Sequence, residues 1–166
     1  MVVGRSHPLM FEEGPQMHQF SLQSAGKDTQ PHVFRGARLH TLLYVEDNPA
    51  NLKLVEQIIA HHPDIRLLIA VNGNSGIELA RDNQPDVILT DINLPDINGF
   101  EVLKILREDP LTMHIPVIAI SANAMQLDIE RGLKAGFFRY ITKPIKVNKF
   151  MEALDVPLKF AGQKVG

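Results

Sequence analysis

Five short apolar runs, each closed by polar or turn-forming residues and followed by a segment of helical period, constrain this chain most strongly. Thr41–Val45 ends in Glu46-Asp47, Arg66–Val71 in Asn72-Gly73, Asp86–Thr90 in Asp91, Pro116–Ile120 in Ser121 and Phe138–Thr142 in Lys143-Pro144. The runs are nearly continuous rather than alternating. Strands of that kind are buried on both faces, which suits a parallel sheet covered by helices. Between them lie the helical segments. Asn48 caps and Pro49 starts the first, and Leu52, Val55, Ile58 and Ile59 carry it to about His61. Ile77, Leu79 and Ala80 mark the second, which ends near Asn83. Phe100, Val102, Leu103 and Leu106 mark the third, Leu127 to Ala135 with Gly136 the fourth, and Asn148 to Leu154 open the last. Asn72-Gly73 reads as a turn, as does Asn98-Gly99 at the end of the loop from Leu94. Right-handed crossovers then give an α/β, doubly wound (βα)5 fold.

Residues 1–38 lack this pattern. Glycine, proline and glutamine punctuate them and no apolar period persists, so the sequence predicts a flexible N-terminal tail or linker, a domain over 39–158 and a short tail over 159–166. The formal net charge of -2 argues against a strongly basic nucleic-acid surface. The absence of cysteine removes disulfides, thiolate zinc sites and cysteine nucleophiles, and it is compatible with a reducing cytosol. Apolar runs such as Leu67–Val71 fall far short of the ~20 residues that span a bilayer. Gly4, Arg5, His7 and Pro8 break up any signal-peptide core. The expectation is a cytoplasmic protein that binds neither membrane nor nucleic acid directly.

Chemistry gathers at the strand ends. In a parallel sheet all C-terminal ends lie on one edge, where ligands of open α/β sheets bind. Glu46-Asp47, Asp91, Ser121 and Lys143 therefore converge. Three carboxylates repel one another, and one lysine does not neutralise them. A hard divalent cation does, and oxygen ligands with several waters suit magnesium. A carboxylate also serves as a nucleophile that becomes an aspartyl phosphate. A metal, a lysine and a hydroxyl around Asp91 supply what phosphoryl transfer needs.

At this point the stretch from about Leu39 to Leu158 resembles the receiver domain of two-component response regulators. The matching pieces are Glu46-Asp47 with Asn48-Pro49, Asp91 in Leu89-Thr-Asp-Ile-Asn-Leu-Pro95, Gly99-Phe100-Glu101, Ser121-Ala122 and Tyr140-Ile-Thr-Lys143-Pro144. The resemblance implies a flavodoxin-like sandwich with strand order 2-1-3-4-5. It implies that Asp91 accepts a phosphoryl group from a phosphohistidine. Asp47, Asp91 and the Asn93 backbone carbonyl would ligate Mg2+, for which Mn2+ can substitute, and Glu46 would act through a water. Lys143 and Ser121 would contact phosphoryl oxygens, Tyr140 would be the aromatic switch, and the bond before Pro144 would be cis. The implied partners are a histidine kinase or a histidine phosphotransfer protein, with a possible homodimer through the fourth helix, fifth strand and fifth helix. Glu46 stands where aspartate is commoner, Ser121 replaces a frequent threonine, and Gly136-Phe137-Phe138-Arg139 replaces a stretch that usually carries an acidic residue.

Other readings stay open at this level. A haloacid-dehalogenase-type phosphatase also uses an aspartate nucleophile with magnesium, but Asn93 stands where that family has its second aspartate. A flavodoxin-like cofactor binder needs a phosphate-cradling first loop, which Glu46-Asp47-Asn48-Pro49 is not. A pseudo-receiver used only for protein binding does not need the intact Asp91 and Lys143. A receiver is a signalling domain that catalyses only its own phosphorylation and dephosphorylation. Phe20-Ser21-Leu22 before a loose linker resembles the end of a kinase ATP-binding domain, as in the C-terminal receiver of a hybrid histidine kinase. Phe137 and Phe138 are adjacent at a strand start, so one is expected in the core and the other at least partly exposed.

Overall fold

The structure, a computed structural model, describes residues 39–164. The tail expected over 1–38, with Phe20-Ser21-Leu22, lies outside the described residues. Strands β1 (His40–Val45), β2 (Ile65–Ala70), β3 (Val87–Asp91), β4 (Val117–Ser121) and β5 (Arg139–Thr142) alternate with helices α1 (Pro49–Ile59), α2 (Gly73–Asn83), α3 (Gly99–Arg107), α4 (Gln126–Ala135) and α5 (Val147–Lys164). The strands form one parallel sheet of order β2-β1-β3-β4-β5.

Period-two alternation sends side chains to two separate cores. Leu42, Tyr44, Val87, Leu89, Ile118 and Ile120 face Val55, Ile58 and Ile59 of α1 and Phe150 and Leu154 of α5. Leu43, Val45, Ile88, Val117 and Ala119 face Ile77 and Ala80 of α2 and Val102, Leu103 and Leu106 of α3. Helix α4 is attached differently: Gly132 is its one buried residue.

Local chemistry sets the helix ends. Asn48 Oδ1 accepts from the Ala50 and Asn51 amides at 2.8 and 3.3 Å. The two Asn-Gly pairs are helix starts rather than the turns expected. Asn72 Oδ1 accepts from the Ser75 amide at 2.8 Å and Asn98 Oδ1 from the Glu101 amide at 3.0 Å. In both cases the glycine is the first helical residue. Gly136 ends α4 at φ 118°, a left-handed conformation that a side chain would strain.

The last helix also departs from expectation. It runs through Pro157 to Lys164, so residues 159–164 are helical rather than tail. Pro157 has no N–H to offer Ala153, but Phe150, Ala153, Leu154, Pro157 and Ala161 form a buried stripe that keeps the helix packed across that gap. Phe137 is buried in the core, in edge-to-face contact with Phe100 at 5.4 Å. Phe138 is half-buried, with the Arg139 guanidinium over its ring at 5.2 Å.

Candidate active site

The ends of β1, β3, β4 and β5 bring Glu46, Asp47, Asp91, Ser121 and Lys143 to one edge of the sheet. Asp91 closes β3 and is buried. Its Oδ2 lies 2.6 Å from Lys143 Nζ, and its Oδ1 accepts from the Asn93 amide at 3.0 Å. Lys143 Nζ also lies 3.4 Å from Glu46 Oε1. The peptide bond between Lys143 and Pro144 is cis.

Glu46 is fully buried and well bonded. Its Oε1 accepts from the Tyr44 hydroxyl at 3.0 Å and from Asn51 Nδ2 at 3.3 Å, and its Oε2 accepts from the Asn48 amide at 3.1 Å. Burial, then the charge of Asp91, pushes the Glu46 carboxyl above its ordinary range; the Asn48 amide, Lys143 and Tyr44 work against that rise. Burial, then Glu46, also pushes the Tyr44 phenol up. Partial burial works to lower the Lys143 ammonium. The Asp91 hydrogen bond and the charges of Glu46 and Asp91 outweigh it and raise its pKa.

Glu46, Asp47 and Asp91 each offer an oxygen within 4.8 Å of the others. Among the described residues Lys143 is the cation paired with Glu46 and Asp91, so within that set the three carboxylates keep an excess of negative charge. An all-oxygen donor set with surplus charge fits a hard divalent cation such as magnesium. Asp47 is exposed, which leaves the cluster open on one side.

Ser121 and Tyr140 meet at one residue. The Asn123 amide donates to Ser121 Oγ at 3.0 Å, and the Tyr140 hydroxyl donates to the Asn123 carbonyl at 3.2 Å. Tyr140 also lines a cavity of about 170 Å³ with Asn93, Asn98, Phe100, Asn123 and Arg131.

A family model for the response regulator receiver domain matches residues 42–155. The chain belongs to the response regulator receiver family. It is 43% identical to the polar-differentiation response regulator DivK of Brucella anthropi over 116 residues, which cover 69% of this chain and 92% of the relative. Among solved structures it is similar to the receiver domain of sensor histidine kinase PA1611 from Pseudomonas aeruginosa. That structure has a magnesium ion coordinated in its active-site cleft; it is 31% identical, covers 69% of this chain and 93% of its own, and has a TM-score of 0.63. The CheY-like receiver domain protein of Methanospirillum hungatei is 26% identical, with a TM-score of 0.67 and coverage of 77% and 99%.

As in other receivers, the chain is a signalling domain on a flavodoxin-like fold. No helix among the described residues is long and apolar enough to cross a membrane. Sequence reasoning passed over Tyr44 of β1, although extended chain carries on to Glu46 two residues later and puts both side chains on one side. It also passed over Asn51, which reaches back to Glu46, and over Asn123 and Gly132, whose link to Tyr140 depends on a tertiary contact.

Proposed function

We propose that this receiver takes a phosphoryl group from a phosphohistidine onto Asp91 and signals through the α4-β5-α5 surface. The observation that carries the reading is the burial of Asp91 between Lys143 and the Glu46–Asp47 pair. The donor is a histidine kinase or a histidine phosphotransfer protein. Support comes from the resemblance to a named response regulator and to the receiver domain of a sensor kinase.

An Asp91 carboxylate oxygen attacks phosphorus. The O–P bond forms, the P–N bond breaks, and the imidazole leaves with the electron pair. Lys143 passes from Asp91 Oδ2 to a phosphoryl oxygen, and the Ser121 hydroxyl donates to another. Asp47, Asp91 and the Asn93 carbonyl, with Glu46 acting through water, would hold magnesium or manganese, and the ion would supply charge neutralisation for the phosphoryl oxygens. Water later cleaves the acyl phosphate.

The output surface carries exposed Met125, Leu127 and Leu133 on or at the start of α4 and half-buried Phe138 just before β5. Apolar side chains with a charged surround suit a protein contact, either self-association or kinase docking. The test is transfer from a radiolabelled phosphohistidine protein. Label should move to the wild-type chain and not to Asp91→Asn; transfer to both would refute the assignment.

A further inference from the structure

The loop between β3 and α3 is fastened at two places. Near Asp91, the Gly99 amide donates to the Ile92 carbonyl at 2.8 Å. At its middle, Asp96 reaches a different helix: Oδ1 accepts from the Gly73 amide and Oδ2 from the Asn74 amide, each at 2.8 Å. These amides belong to the first turn of α2, where the helix leaves donors unpaired and carries its positive end. Ile97 packs on the same turn so closely that a Cβ on Gly73 would come 2.5 Å from Ile97 Cγ1. Slight burial works upward on the Asp96 carboxyl, but the amides of Asn74, Gly73 and Ile97 outweigh it and hold it below the usual aspartate range.

We infer that Asp96 is a positioning residue: its carboxylate clamps the loop to α2 and so fixes the Asn93 backbone beside Asp91. Asn93 is short and exposed, and its own tie to the site is the bond from its amide to Asp91 Oδ1 at 3.0 Å. The carbonyl of the same residue is the backbone oxygen assigned to magnesium, and that part of the inference rests on the proposed function. Asn72 provides the control. It caps the same helix through the Ser75 amide, but from the chain leading into α2 rather than from the loop.

The experiment compares Asp96→Asn and Asn72→Ala in the full chain. Amide hydrogen exchange at Asn93 and Gly99, melting temperature and magnesium titration by calorimetry are measured for each. Both variants should lose a few degrees of melting temperature: Asn72→Ala removes a cap, and Asp96→Asn replaces one of the two acceptor oxygens with an NH2 group that cannot accept from the α2 amides. Asp96→Asn alone should speed exchange at Asn93 and weaken magnesium binding, each by about tenfold. Unchanged exchange and affinity in Asp96→Asn, or equal losses in Asn72→Ala, overturn the inference. If the wild-type chain binds no magnesium, the proposed function fails on its metal, while the exchange at Asn93 still decides the clamp.

Discussion

Tyr140 donates its hydroxyl to the Asn123 carbonyl at 3.2 Å, and the amide of that Asn123 donates to Ser121 Oγ at 3.0 Å. One residue therefore ties the hydroxyl at the end of β4 to the aromatic on β5. A phosphoryl oxygen on Asp91 would accept from the Ser121 hydroxyl and draw Oγ toward the phosphoryl group, which stretches the bond from the Asn123 amide and, through Asn123, loosens the bond from Tyr140. Helix α4 is free to respond because it buries little besides Gly132. Beryllofluoride with magnesium should shift the amides of Asn123, Gly132 and Tyr140 as well as those of the pocket. Shifts confined to Glu46, Asp47 and Asp91 would contradict this coupling.

Gly132 gives Tyr140 its room. A Cβ there would come 2.7 Å from Tyr140 Cδ2 and 2.9 Å from Cε2. Gly132→Ala should destabilise the chain by about 1–2 kcal/mol, because the ring must move off α4. Tyr140→Ala in the same background should remove most of that loss. A double-mutant cycle by urea denaturation checks it; additive effects would show that ring and helix do not bear on each other.

Gly99 is more restrictive because its neighbours are backbone. A Cβ would meet the Asp91 carbonyl oxygen at 2.7 Å and Ile92 Cα at 2.9 Å. Neither yields without moving the backbone of Asp91 or of Ile92 beside it. Gly99→Ala should cost about 2–3 kcal/mol and slow phosphorylation beyond what its stability loss explains. Denaturation at a temperature where both proteins are folded, paired with phosphorylation rates, separates the two effects.

The buried Glu46 makes stability depend on pH. Burial, then the charge of Asp91, raises its carboxyl above the ordinary value of 4.5. The folded chain thus holds this proton more tightly than the unfolded chain. Without divalent ions, stability from this group falls as pH rises from that value through the raised one. Glu46→Gln should remove this part of the slope, since acidic groups common to both proteins cancel in the difference. Urea denaturation across that range checks it, and parallel slopes for the two proteins would contradict it.

Strand ends were legible because apolar runs and polar closures are local. That was enough to bring Glu46, Asp47, Asp91, Ser121 and Lys143 to one edge. Asn72-Gly73 and Asn98-Gly99 misled because the same dipeptide suits a turn and a cap followed by an open first helical residue. Pro157 hid the length of α5, since a proline normally ends a helix and only the buried stripe through Ala161 shows otherwise. Asp96 looked like a loop residue because its partners lie 22 and 23 positions earlier on another helix. Gly132 could not be read from its neighbours either, because the ring against it comes from β5.

The proposed function stands or falls on Asp91 as the residue that takes the phosphoryl group. Intact-mass measurement after incubation with acetyl phosphate, with and without magnesium, tests it most directly. The wild-type chain should gain one phosphoryl group with magnesium and little without it, and Asp91→Asn should gain none, because its amide is a poor nucleophile. An equal gain of mass in Asp91→Asn would contradict it.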